Sequence, residues 1–371
     1  MLNPFLPQFI IQMDIPYGLI GLILALNAAI AFFSNIWWGA LSDRIGRKPV
    51  MLICRYGTLA GYIVLAFSTN LPLLIISRVL DGVFARTVSI GLTIVGDEVE
   101  PKRRGIEMSN VGAAWIAGGL AGPAVGAFLA ARGIFGLGAA VALLALITII
   151  ITHWGVEESH PNIVEGGSVS QKHSAAPVFS PRLFKNAMAR RLLLQGLISK
   201  VPYFMFVTTT SIYVTARFNL AIPQIGALFT AISAVNLVIR LIFFPPLLRS
   251  AGDRKTIRVG FFLYLVGFIW LIFARSVWEF FIISLFISFA TSCALDVMSG
   301  RMSNAVAPHE MGEILGLNSA SESFALIIGP IMGSALIGAP GAGAYGGVAA
   351  AFALFPLMLE FLPLREVSNA D

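Results

Sequence analysis

Charge is what this chain lacks most. Only 12% of its 371 residues are Asp, Glu, Lys or Arg, and 57% are apolar. An ordinary soluble domain is about 25% charged and about 45–50% apolar. So little charge cannot wet a soluble surface of any fold class, and a mean hydropathy of +0.85 is opposite in sign to that of a disordered chain. Cysteine is nearly absent too. Cys54 and Cys293 lie inside apolar runs in opposite halves, and two such residues build neither a disulfide framework nor a metal cluster. No G-x-x-x-x-G-K-[ST] phosphate loop occurs, so the chain does not hydrolyse ATP by that device. His309-Glu310 lacks the second His of a zinc helix, and His153, His160 and His173 surround a stretch without Cys; they read as solvated, and no metal or cofactor is expected. Residues 1–10 carry no Lys or Arg, so the basic start of a cleavable signal is missing.

What the chain has is long apolar runs. They lie near 17–40, 50–69, 72–96, 108–131, 134–155, 191–215, 223–247, 257–274, 277–303, 312–338 and 343–363. Each is long enough to cross about 30 Å of hydrocarbon as a helix. They are continuously apolar and do not alternate, which excludes the strands of a membrane barrel. The expected fold is therefore an all-α membrane protein. Loops 42–49, 97–107, 157–191, 249–258 and 301–313, with Arg365, carry 17 Lys or Arg, and the alternate loops carry only Arg132, Arg217 and Arg275. The positive-inside rule puts the first set, and the C-terminus, in the cytoplasm. The expected location is the cytoplasmic membrane, crossed many times. The net charge of +6 is explained by these loops, so no nucleic-acid partner is expected.

The two halves repeat. Ile15-Pro16 recurs as Ile222-Pro223, Gly46 as Gly252, Pro101 and Gly105 as Pro308 and Gly312, and Gly122-Pro123-x-x-Gly126 as Gly329-Pro330-x-x-Gly333, at offsets of 206 or 207. Four pairs in register indicate duplication with parallel halves. Residues 1–156 form the first bundle, 157–190 a polar cytoplasmic linker, and 191–371 the second bundle. The register also places the start of a first helix before residue 1. The expectation is a plan of 12 helices with most of helix 1 missing, leaving 11 complete spans, by truncation or a mis-chosen start.

Gly39-Ala40-Leu41-Ser42-Asp43-Arg44-Ile45-Gly46-Arg47-Lys48, between two spans, resembles the G-x-L-x-D-R-x-G-R-K/R signature of the major facilitator superfamily. Arg78-x-x-x-Gly82 resembles its fourth-helix pattern. Gly118-x-x-x-Gly122-Pro123-x-x-Gly126 resembles the fifth-helix motif of its drug–proton antiporters, with Ser109 and Ala127 in place of two expected glycines. The stretch Glu310 to Gly333 resembles tetracycline-type efflux pumps. The resemblance implies a loop latch in which Asp43 meets the start of the eleventh helix near Gly312. The residues themselves supply physical reasons. Gly39 and Gly46 permit close approach and a tight turn, and Arg44 and Arg47 need acidic partners such as Asp97 and Glu98. Gly118, Gly122, Pro123, Gly126, Gly329, Pro330 and Gly333 invite close, kinked contacts between the bundles.

Ionisable groups inside a bilayer are costly and usually face a water-filled cavity. Arg78, Asp81 and Arg86, about 9, 13 and 21 Å deep in one helix, share an arc of about 140°, and Arg78 and Asp81 are spaced to pair. Lys200, Glu322 and Asn27 lie near mid-depth, with Arg240 and Asp296 nearer the cytoplasmic end. All eight are candidate substrate or proton-pathway residues. Trp37, Trp38, Trp154, Trp270 and Trp278 fit an aromatic belt. Trp115 is deeper, where it could stack on a substrate, but reads first as core packing.

These features describe a monomeric secondary transporter with two bundles around a central cavity, lodged in the lipid bilayer and energised by a proton gradient. The expected activity is export of a drug-like or amphipathic small molecule in exchange for protons, with Asp81 and Glu322 as proton carriers. The alternative is symport or exchange of a small organic anion, suggested by Arg78, Arg86, Lys200 and Arg240. It is not an enzyme on this reading. A membrane sensor is disfavoured because no soluble domain is present to transmit a signal.

Overall fold

A computed structural model describes residues 2, 4–85, 87–159, 187–306, 310–338 and 342–361. Among the described residues there is no strand. The helices are α1 (Leu6–Ile11), α2 (Tyr17–Ile45), α3 (Arg47–Ala66), α4 (Leu71–Val83), α5 (Thr87–Glu98), α6 (Pro101–Ala130) and α7 (Gly133–Gly155). They continue as α8 (Ala187–Phe218), α9 (Ile222–Phe273), α10 (Val277–Thr291), a π-helical turn (Ser292–Asp296), α11 (Val297–Asn304), α12 (Met311–Gly338) and α13 (Ala342–Phe361). The linker 160–186, with His160 and His173, lies outside the described residues, as does His309.

Among the described residues, eight helices are long and apolar enough to cross a membrane. The remaining expected spans are accounted for locally. α9 counts once although Gly252, at φ 69° and ψ 167°, breaks it into two segments. The run 72–96 is not one helix but α4 and α5, and α6 contributes only the shorter apolar stretch Ala117–Ala130. Large apolar side chains such as Phe33, Leu241 and Phe273 stand mostly exposed on the helices, as they must where lipid replaces water.

The repeat is visible in the backbone. Gly46, between α2 and α3, has φ 104° and ψ 159°, and its partner Gly252 breaks α9 in the same left-handed, extended geometry. A side chain is strained at positive φ, so the turn requires glycine in both halves.

The chain divides into two compact units, Met1–Lys172 with Asn219–Thr230, and His173–Phe218 with Ala231–Asp371. The first turns of α9 thus belong with the first unit, where Gly226 packs so closely on Ala127 of α6 that no side chain would fit. In the first unit Trp38, Val50, Met51, Cys54, Ile90 and Ile94 form a buried cluster. Trp38 therefore does not stand in an aromatic belt: it is buried and donates Nε1–H to the Val83 carbonyl at 2.6 Å. In the second unit Leu192, Ile257, Phe261, Ala294, Met298, Met302 and Ile314 join α8, α9, α11 and α12. Buried tyrosines stitch this unit by donating to main-chain carbonyls: Tyr264 to Ser199 at 3.2 Å, Tyr213 to Leu271 at 3.3 Å and Tyr345 to Met205 at 3.2 Å. Such bonds are how buried aromatic hydroxyls avoid an unmatched donor.

Candidate substrate pathway

In the second unit a cavity of about 280 Å³ opens between α8, α9, the π turn and α12. Helical spacing builds its walls. Lys200, Tyr203, Phe204 and Val207 follow at i, i+3, i+4 and i+7 on α8, and Asn318 and Glu322 are one turn apart on α12, so each set shares a face. Asn236 and Arg240 repeat that spacing on α9, and Asp296 ends the π turn. A π turn inserts one residue into a helix and re-aims the residues beyond it.

Lys200 is buried. Its ammonium donates to the Asn318 carbonyl at 2.7 Å, to Asn318 Oδ1 at 2.7 Å and to Ser321 Oγ at 2.9 Å. All three donors are occupied, and every acceptor is neutral. Arg240 Nη2 donates to Asp296 Oδ2 and pairs with it. Glu322 faces the same cavity and makes no hydrogen bond or ion pair among the described residues. The cavity thus holds one matched pair, one cation solvated by amide and hydroxyl oxygens, and one carboxylate open to an incoming group. Phe204, Phe206, Val207, Ile287 and Leu295 supply its apolar surface.

The first unit holds a second polar centre. Arg78 Nη1 meets Asp81 Oδ2 at 3.1 Å, and Asn27 Nδ2 donates to the same oxygen at 3.0 Å and to the Arg78 carbonyl at 3.3 Å. The Arg78 side chain is 3% exposed, and its Nη2 has no hydrogen-bond partner. Gly82 brings the two helices together, because a β-carbon there would lie 2.9 Å from the Asn27 carbonyl oxygen. α4 then stops at Val83, which sequence reasoning missed. The carbonyls at its end accept hydrogen bonds from other helices: Ser34 donates to Gly82 at 2.9 Å, Trp38 to Val83 and Thr58 to Phe84 at 3.3 Å. Side-chain donors replace the next turn of helix. Arg86 lies outside the described residues.

At the basic end of the first unit, Arg47 Nε donates to Asp97 Oδ2 at 3.1 Å and Nη1 donates to Ser42 Oγ at 2.8 Å and to Asp43. Asp43 is thus paired within its own loop. Arg44 is exposed, with no ion pair among the described residues. Glu158 was not anticipated: its carboxylate accepts the main-chain N–H of Arg47 at 2.8 Å and of Lys48 at 3.2 Å, where the start of α3 leaves donors free.

The glycine motifs divide. Gly122, Pro123 and Gly126 are buried in α6, while a side chain at Gly118 would meet nothing. Gly329 and Gly333, which sequence pattern assigned to contacts between bundles, make their close approach inside the second unit. Both press α12 onto Phe204, Met205 and Thr209 of α8, and Pro330 lies between them. The Trp115 side chain and the surroundings of Gly312 lie outside the described residues.

The profile of the Major Facilitator Superfamily matches residues 1–245 and, again, 192–370. The chain is 25% identical to "Tetracycline resistance protein, class B" of Escherichia coli over 339 residues, covering 90% of this chain and 83% of that one. It is also 25% identical to "Multidrug resistance protein 2" of Bacillus subtilis (strain 168) over 351 residues, covering 91% and 84%. Among solved structures, that of the human organic anion transporter MFSD10 (TETRAN) superposes with a TM-score of 0.67 at 24% identity, covering 92% of this chain and 83% of that one. The chain belongs to the Major Facilitator Superfamily, and is a multi-pass, all-α membrane transporter.

Proposed function

We propose that this transporter exports drug-like, amphipathic compounds across the cytoplasmic membrane in exchange for protons, by alternating access between its two bundles. The observation that carries the reading is Glu322. It is the one cavity carboxylate without a hydrogen bond or ion pair among the described residues, beside a matched Arg240–Asp296 pair and a Lys200 already saturated with hydrogen bonds. A carboxylate so placed accepts either a proton or the cationic group of a substrate, and not both at once; that exclusion is the chemical requirement for antiport. The apolar walls bind the rest of an amphipathic molecule. The names of the tetracycline and multidrug resistance relatives support drug efflux. A proton gradient supplies the energy, the chain works as a monomer with its C-terminus inside, and no reaction is catalysed.

The second reading, carriage of a small organic anion, is favoured by Lys200, a buried cation whose hydrogen-bond acceptors are all neutral. The human organic anion transporter has the same fold, which is compatible with such a cargo. Proteoliposomes with an imposed pH gradient separate the two. Accumulation of a lipophilic cation that stops when the gradient is collapsed supports the first. Gradient-independent exchange of a carboxylate, abolished by Lys200→Gln, supports the second and overturns the first.

A further inference from the structure

One amide in the cavity wall has an acceptor that nothing meets. Asn236 lines the cavity on α9. Its Oδ1 is buried, and its side chain makes no hydrogen bond among the described residues. Other asparagines at this depth are used. Asn318 Oδ1 accepts from Lys200 in the same cavity, and Asn27 of the first unit donates to Asp81 and to the Arg78 carbonyl. Nor does Asn236 turn back on its own helix, as Ser199 and Thr209 do by donating to the carbonyl four residues earlier. Arg240, one turn further along α9, gives its guanidinium to Asp296 instead. A buried acceptor left unmet is destabilising, and inside a membrane only what enters the cavity relieves it. Water serves while the cavity is open. A substrate that displaces that water without replacing its bond loses affinity. No bond holds the amide, and χ2 of asparagine is a broad torsion, so a modest turn aims the oxygen at an occupant.

The unmet capacity of the cavity is therefore specific in kind. Lys200 has three acceptors of its own, and Arg240 is matched by Asp296. The hydroxyls of Thr291, Ser292 and Ser299 are spent on carbonyls of their own segment. Two strong acceptors stay open: the Glu322 carboxylate and the Asn236 oxygen, one charged and one neutral. A quaternary ammonium meets the charge of the first but bonds to neither. A tertiary ammonium has one N–H and spends it on the carboxylate, because charge-assisted bonds are the stronger. A cation with two or more N–H groups satisfies both.

We propose that Asn236 is a specificity-determining residue that, with Glu322, selects cations carrying at least two N–H groups. Primary and secondary ammonium, amidinium and guanidinium compounds are then preferred over tertiary and quaternary ones. The inference rests on the cation reading of Glu322 given above and adds the chemical class of the cation.

The test is a methylation series: N-methyl-, N,N-dimethyl- and N,N,N-trimethyl-4-phenylbutylammonium. Each is titrated calorimetrically into the full chain in lipid nanodiscs at about pH 8, with empty discs subtracted. All three are cations there, since aliphatic amines titrate at about pH 10, and each step removes one N–H. In wild type, affinity should fall about tenfold at the first step, the size of one hydrogen bond to a charged group, and again at the second. Asn236→Leu keeps the volume and removes the acceptor, so it should abolish the first step and leave the second. Glu322→Gln should weaken all three. A wild-type series flat across the first step overturns the proposal and leaves the cation reading standing. So does a first step that survives in Asn236→Leu, which would mean that methyl bulk sets the preference. Undiminished binding in Glu322→Gln, or binding of none of the three, overturns the cation reading and the proposal together. Should Asn236→Leu fail to fold, Asn236→Asp decides: a second carboxylate should steepen the first step, and an unsteepened step refutes the assignment.

Discussion

Gly329 gives the sharpest structural test. A β-carbon there would stand 2.6 Å from the Met205 main-chain nitrogen and 2.9 Å from the Phe204 carbonyl carbon. Both are backbone atoms and cannot swing aside. Ordinary contact needs about 3.5–4 Å, so Gly329→Ala must push α12 from α8 by about an ångström. Overpacking of this kind costs about 1–3 kcal/mol. For a folding unit of this size each kcal/mol lowers Tm by about 2–4 °C, so Gly329→Ala should melt about 2–12 °C lower. The displacement also stretches the bonds from Lys200 to Asn318 and Ser321, which bridge the same two helices. Gly316→Ala on the same helix is the control. Nothing lies within 4 Å of a β-carbon there, and alanine favours helix by about 0.5–1 kcal/mol. The assay is thermal unfolding of both variants in one detergent. If Gly329→Ala is as stable as Gly316→Ala, the close packing of α8 on α12 is wrong.

The charged centres and caps can be tested in the same way. Asp81→Asn leaves the 3% exposed Arg78 side chain without its counter-charge, which should cost about 3–5 kcal/mol; an Asp81→Asn, Arg78→Met double variant should melt higher than Asp81→Asn alone, and a lower or equal Tm would contradict the pairing. Arg47→Gln should lower stability by no more than about 1 kcal/mol, because Glu158 still caps α3, yet slow turnover clearly in a vesicle flux assay. Asn70→Ala should cost about 1 kcal/mol in thermal unfolding, since its Oδ1 accepts the Leu73 N–H at 3.0 Å as an N-cap of α4.

Much of the fold is legible in the sequence because bilayer thickness sets a length that apolar runs must meet. Gly46 and Gly252 are legible for a different reason: a repeated glycine marks a repeated left-handed turn. The Arg78–Asp81 pair follows from a spacing of three along one helix. The break after Val83 could not be read, because the groups that terminate α4 come from residues 26 to 48 positions away. Lys200 was readable as a cation at depth, but its partners Asn318 and Ser321 were not, being neutral residues 118 and 121 positions distant. Glu158 sits just after a helix end, where a carboxylate ordinarily reads as solvated. Only tertiary packing distinguishes a helix cap from a surface charge.

Antiport through this cavity requires Glu322 to take a proton and a substrate cation in turn. The decisive readout is proton movement on substrate addition, in proteoliposomes holding a pH-sensitive dye and no imposed gradient. Adding a lipophilic cation to wild-type vesicles should release protons in step with its uptake. In Glu322→Gln the release should vanish, and cation affinity should fall about 10- to 100-fold, the loss expected for one charge-assisted contact. Undiminished proton release from Glu322→Gln would remove this residue from the exchange.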